Sequence, residues 1–297
     1  MTVNDNAPKS HTADSFFLLV DKPSGCTSFD VVAKIRRQYA IKSVGHSGTL
    51  DPLATGLLLI AVGKNATRLL EYFTGADKEY LAEIQLGTAT TTDDSEGETI
   101  AVADIGRLES VTPQGITHAV SCLTGEISQV PSAFSAIKVD GKRAYDLARK
   151  GKDVKLPARK VTIYDFTIQN TAHNTITAKV SCSKGTYIRA LARDLGEKLG
   201  TFAHITMLHR TKIGNFNIEN AGKTLSLEDA IKHVMPVVEV TVDDAKDLSF
   251  GRKIRVPDGF MPKSGSNVGV IYDGELVAVS ELSDGMLAPK KVLRVSH

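Results

Sequence analysis

The stretch Gly45-His46-Ser47-Gly48-Thr49-Leu50-Asp51-Pro52-Leu53-Ala54-Thr55-Gly56, followed at once by Leu57-Leu58-Leu59-Ile60-Ala61-Val62, decides how this chain is read. One carboxylate, Asp51, stands between glycines and a proline just before an apolar run of buried-strand character. Moving a carboxylate to the edge of a core costs solvation free energy unless something pairs with it. The turn therefore reads as presenting Asp51 rather than hiding it. An isolated Asp-Pro after a glycine is also plain turn chemistry, so the weight rests on the whole string.

Working outward, Phe16–Val20 reads as a strand ending in the turn Asp21-Lys22-Pro23-Ser24-Gly25. Ser28–Tyr39 reads as an amphipathic helix with Val31, Val32 and Ile35 on one face. After the strand Leu57–Val62 come a helix near Ala66–Phe73 and a half-buried strand through Tyr80, Ala82, Ile84 and Leu86. Thr88–Glu98 has no hydrophobic anchor beyond Ala89 and is expected to be an exposed loop. Between Gln129 and Arg159, proline, glycine and charge interrupt the alternation, which predicts a projecting arm. Within it, Lys138–Gly141 reads as a hairpin and Arg143–Lys150 as a short basic helix. Strands are then expected at Val161–Gln169, Ile176–Cys182 and Ile205–Arg210, with a helix over Thr186–Leu199. A composition shift near Val237–Thr241 predicts a boundary, followed by short strands at Lys253–Val256, Asn267–Tyr272, Glu275–Ser280 and Lys291–Val295. The expected division is a polar tail over 1–15, a main domain over 16–238 and a small all-β domain over 239–297. The fold class is α+β with a mixed sheet.

The totals narrow the function classes. The chain has 297 residues, 42% hydrophobic and 24% charged, an ordinary globular balance. Its longest apolar run, Leu57–Val62, is far too short for a membrane span. Cys26, Cys122 and Cys182 are odd in number and lack CxxC spacing, against a disulfide framework or zinc site and for a reducing cytoplasm. All three are expected to be small buried residues. No metal is expected, because the eight histidines show no ligand spacing. Gly63-Lys64 lacks the rest of a phosphate-binding loop, and Gly45-His46-Ser47-Gly48 is not a nucleophile elbow. The net charge is only +2, yet Lys138–Lys160 holds nine basic residues against Asp140, Asp146 and Asp153. A local basic surface of this kind suits a phosphate backbone, and equally a solvated lysine-rich face.

The Gly45–Gly56 string resembles the catalytic loop of the TruB family of tRNA pseudouridine-55 synthases. A second motif, Ser183-Lys184-Gly185-Thr186-Tyr187-Ile188-Arg189, and the pattern Thr90-x-Thr92-x-Asp94-x-x-Gly97 are similar to others of that family. The resemblance implies an isomerase, free of cofactors, that converts uridine to pseudouridine in the TΨC loop of tRNA. It implies that Asp51 is the nucleophile or base, that Arg189 pairs with it, and that Tyr80 stacks on the base and can take the C5 proton. Tyr187 and Leu208 would line the uracil site, His46 would wedge into space left by flipped bases, and Asp94 would orient site residues or RNA. Lys142 and Arg143 belong to the arm that would grip the tRNA stem-loop. The resemblance also implies a monomer with no guide RNA, obligate protein partner or membrane, and a C-terminal domain of PUA type. Each residue has a blander reading: Tyr80, Tyr187 and Leu208 as core, Arg189 as a surface helical cation, His46 as a satisfied loop histidine. A non-catalytic RNA-binding or tRNA-folding protein on the same scaffold is the competing function, and a synthase acting at another RNA position is a third.

Overall fold

The computed structural model describes residues 15–132, 134, 138–139, 142–143 and 156–293. The chain forms two compact units, one from Met1–Pro52, Gly56–Ala76 and Ile213–His297, the other from Leu53–Thr55 and Asp77–Lys212.

In the first unit, Phe16–Lys22 and Thr55–Val62 pair antiparallel from Phe16↔Val62 to Lys22↔Gly56. Val44–His46 adds to the other side of Thr55–Val62, and Thr224–Leu225 adds to Phe16–Lys22. The helix Ser28–Tyr39 starts as read: Thr27 and Asp30 form a reciprocal cap, satisfying amides the first turn would leave bare. Its buried Val31, Val32 and Ile35 cover one sheet face together with Phe16, Leu18 and Val20. The opposite face buries Phe17, Leu57, Leu59 and Phe73, with Phe17 and Phe73 rings 4.7 Å apart. The expected helix Ala66–Phe73 is two short ones, Lys64–Leu69 and Glu71–Thr74.

The PUA-like part is a curled five-stranded sheet ordered Val237–Glu239, Asn267–Tyr272, Glu275–Ser283, Met286–Val292, Ile254–Arg255. It is mixed, because Val237–Glu239 runs parallel to Asn267–Tyr272. The last long strand ends at Val292, so the strand read at Lys291–Val295 lies earlier in the chain. Ile271, Leu276, Val279 and Leu293 join the same core as Phe73 and Leu57. Arg68 donates to Val292 O at 2.8 Å and Lys291 Nζ to Arg68 O at 2.7 Å, fastening the final strand alongside.

In the second unit the strand order is Ala203–Ile213, Lys78–Leu86, Thr175–Cys182, Arg159–Ala172, Gly125–Gln129. Alternation along Lys78–Leu86 buries Tyr80, Ala82, Ile84 and Leu86, and its partner strand buries Ile176, Ala178, Val180 and Cys182. The helix Ile188–Lys198 packs Ile188, Ala190, Leu191, Ala192 and Leu195 inward. It sits close to the next strand because Gly196 has no side chain: a Cβ there would meet Ala203 N at 2.5 Å. Two helices unforeseen in the sequence, Ile105–Glu109 and Pro113–Cys122, complete the unit. The hairpin pairs Lys138–Val139 with Lys142–Arg143, while the basic helix read at Arg143–Lys150 falls outside the described residues beyond Arg143.

Two expectations need correction. Thr88–Glu98 is not an exposed loop: Thr88–Thr90 pairs with Thr99–Val102, and Thr90 and Asp94 are buried. The segment folds without apolar anchors because its polar groups satisfy one another and because Ile205 bonds Asp93 O and Ser95 N across a bridge. The cysteines also differ, with Cys182 buried, Cys26 half-buried and Cys122 exposed. Cys122 lies off the helix face that buries Ile116, Ala119 and Val120.

Candidate active site

The backbone on both sides of Asp51 is tied down. Ser28 Oγ accepts from Leu50 N at 2.8 Å and donates to Leu50 O at 3.1 Å. On the other side, Pro52 O accepts from Gly25 N at 3.0 Å and from Lys22 Nζ at 3.3 Å. Lys22 is wholly buried, and its ammonium also donates to Cys26 O at 2.7 Å and Pro23 O at 2.9 Å. Three carbonyl acceptors give a buried ammonium the partners that water would otherwise supply. Asp51 itself is half-buried, on a backbone held by the Lys22 ammonium and the Ser28 hydroxyl. Reading Asp21–Gly25 as a turn missed both Lys22 and Ser28. The hint for Lys22 was a lysine closing a strand that is apolar up to Asp21. His46 ends its short strand half-exposed, and its Nδ1 accepts from Gly48 N at 3.3 Å, which shapes the glycine turn.

In the second unit the structure brings Arg189 and Asp94 together. Arg189 leaves the first turn of Ile188–Lys198 and is only 5% exposed; Asp94 is 3% exposed. Arg189 Nη1 lies 3.4 Å from Asp94 Oδ2 and donates to Thr92 O at 2.8 Å, while Nη2 donates to Phe134 O at 2.9 Å. Asp94 is fixed in turn by Thr92 Oγ1 at 2.5 Å and Glu96 N at 3.1 Å. The turn closes only on glycine, since a Cβ at Gly97 would lie 2.4 Å from Thr92 Oγ1. An arginine suits this post because its planar fork serves a carboxylate and two carbonyls at once. The surface-cation reading of Arg189 is wrong.

Tyr187 is the residue just before the helix, in extended conformation. Buried Gln129 holds it at both backbone groups: Tyr187 N donates to Oε1 at 2.9 Å, and Nε2 donates to Tyr187 O at 3.1 Å. The Arg159 guanidinium stands 5.5 Å from the Tyr187 ring centre. Tyr80 and Leu208 are buried on their strands. Thr55 Oγ1 shares a 2.8 Å hydrogen bond with His209 Nδ1, beside Leu208. Lys142 and Arg143 form one strand of the arm hairpin. Lys78, two residues before Tyr80, has its ammonium pKa lowered by burial and by the Arg210 charge. Among the described residues no cluster of His, Cys, Asp and Glu could hold a metal ion.

The description "TruB family pseudouridylate synthase (N terminal domain)" fits residues 36–188, and "tRNA pseudouridylate synthase B C-terminal domain" fits residues 189–238. The chain belongs to the TruB family. A TruB-family relative from Leifsonia xyli subsp. xyli (strain CTCB07), named tRNA pseudouridine synthase B, is 43% identical over 90% of this chain and 92% of its own length. Another of the same name, from Arthrobacter sp. (strain FB24), is 44% identical over 95% and 98%. Among solved structures, a chain of a Cbf5-Nop10-Gar1 complex superposes with a TM-score of 0.69 at 25% identity, over 94% of this chain and 84% of that one. A chain of an H/ACA RNP bound to a substrate RNA gives a TM-score of 0.71 at 22% identity, over 99% and 94%, which shows a shared fold. No helix among the described residues is long and apolar enough to cross a membrane.

Proposed function

We propose that this chain isomerises uridine to pseudouridine in tRNA, at position 55 of the TΨC loop. The observation that carries this reading is the near end-to-end match, above 40% identity, to relatives named tRNA pseudouridine synthase B. In the reaction the N1–C1′ bond breaks, the uracil turns over, a C5–C1′ bond forms, C5 loses its proton and N1 gains one. Atoms balance without any redox step.

Asp51 acts first, as nucleophile at the ribose or the pyrimidine or as base at the 2′ carbon. The fixed backbone at Leu50 and Pro52 supports this role, since a reacting carboxylate gains from being held in place before substrate arrives. Arg189 pairs with Asp51 and aims it, and Asp94 braces Arg189; the buried Arg189–Asp94 pair supports the bracing half of that assignment. Tyr80 stacks on the extruded uracil and takes the C5 proton. Leu208 and Tyr187 complete the wall, His46 fills the space of flipped bases, and Lys142 and Arg143 grip the stem phosphates. The domain from about 239 onward adds a further RNA-binding surface. The chain works in the cytoplasm as a monomer without guide RNA, a reading that three free cysteines support as to compartment.

The test uses an unmodified tRNA transcript with wild type and Asp51→Asn. Wild type should form pseudouridine at one nucleotide, mapped by carbodiimide derivatisation and primer extension because the product has the mass of uridine, and Asp51→Asn should bind the transcript but leave it unmodified. Binding without product in the wild type would defeat the proposal and leave the RNA-folding reading or a synthase for another RNA position.

A further inference from the structure

Arg189 and Arg193 stand one helical turn apart and leave the same face of Ile188–Lys198. Both reach the same two segments. Arg189 joins Asp94 to Phe134 O, as described. Arg193 joins Asp93, at 3.2 Å, to Val130 O, at 2.8 Å. Two consecutive carboxylates are thereby tied to two carbonyls at the entry to the arm. The second tie is not needed to neutralise Arg193, which Asp194 already meets at 2.8 Å. It also reaches a largely buried acid. Asp93 sits at φ 59, in the left-handed region, and burial raises its carboxyl pKa above the ordinary range. A carboxylate desolvated this far is held in place by its ties to Arg193 and the Ser132 hydroxyl, both reaching it from outside its own turn.

The structure assigns Arg193 and Asp93 as a positioning pair: they lock the entry of the arm to the loop bearing Asp94. RNA gripped by the arm is then held in register with the Arg189 side chain. This rests on the function proposed above and adds to it a mechanical link between grip and chemistry. Neither residue touches the reacting atoms. Their effect passes through Val130 and the Thr92–Asp94 turn, where a small displacement is enough to slow a reaction that depends on alignment.

The test compares wild type, Arg193→Lys, Asp93→Asn and the double variant. Lysine keeps a charge beside Asp194 but has no fork to hold Asp93 and Val130 O together. Single-turnover pseudouridine formation should slow about tenfold in each single variant, with transcript affinity changed less than about twofold. The double variant should be no slower than the worse single one, because both remove the same tie. Rates equal to wild type, rate losses that multiply in the double variant, or losses that follow melting temperature would each overturn the assignment. A wild type that makes no pseudouridine defeats the functional reading and the pair's part in it together. A normal wild type with unaffected variants defeats the pair alone.

Discussion

Removing the Arg189 guanidinium tests how the buried charge in the second unit is held. At the observed 3.4 Å from Asp94, two unit charges attract by about 5 kcal/mol at an effective dielectric near 20. Much of that offsets desolvation, so the pair as a whole adds little over an apolar replacement. Breaking one side is different. Arg189→Met takes the cation from the buried Asp94 carboxylate and the guanidinium donors from the carbonyls of Thr92 and Phe134. Asp94 keeps Thr92 Oγ1 and Glu96 N, and Thr92 O keeps Ser132 Oγ at 3.3 Å. Truncating one partner of a buried pair costs about 3–5 kcal/mol. For a chain of 297 residues that corresponds to a melting decrease of roughly 5–8 °C. Adding Asp94→Asn should return part of the loss, because the neutral amide no longer needs a cation. Melting curves of wild type, both singles and the double would measure it. An Arg189→Met protein melting within a degree or so of wild type would refute the reasoning, as would a double variant as unstable as the sum of the singles.

Lys22→Met should destabilise the protein by about 2–4 kcal/mol, since the carbonyls of Pro23, Cys26 and Pro52 lose a charged donor; denaturant midpoints would record it. Cys182, buried with its thiol pushed up to about 11, should resist alkylation at pH 8, where about one molecule in a thousand carries the thiolate. Peptide mapping after brief labelling should find Cys122 modified first. The sign of the associated linkage follows: the stability gained by keeping this thiol neutral is present below its ordinary range and lost as pH rises towards about 11. Neutralising Lys142 and Arg143 should weaken tRNA binding and flatten its salt dependence, by about one unit of slope for every phosphate left without its cation. An unchanged slope would place that hairpin away from the RNA.

Where local signals and tertiary packing agreed, the sequence could be read closely. Ser28–Tyr39 carries both its cap and its apolar stripe, and Lys78–Leu86 alternates cleanly, so each was legible alone. Thr88–Glu98 was misread because its order comes from hydroxyl and carboxylate groups bonding one another, which leaves no hydrophobic signature. Pro113–Cys122 announced itself by Thr112 and Pro113, a cap and first-turn proline that went unused. In the candidate site, motif resemblance picked out Arg189 and Asp94 separately. That they form one buried pair depends on a helix and a turn nearly a hundred residues apart, which spacing cannot encode. Lys22 and Ser28 were overlooked because their work is done on backbone atoms of Leu50 and Pro52, and no sequence pattern names a carbonyl.

The oily layer shared by Phe73, Leu57, Ile271, Leu276 and Leu293 bears on how such a protein can be cut or recombined. A gene fragment ending before the last five strands would code for a product with raw hydrocarbon turned to water, prone to clump rather than to work at reduced strength. The reverse fragment would share that fate. Exchange of this appendage between homologues thus demands matched substitutions on both sides of the seam, and two halves that must mutate together tend to be inherited as one.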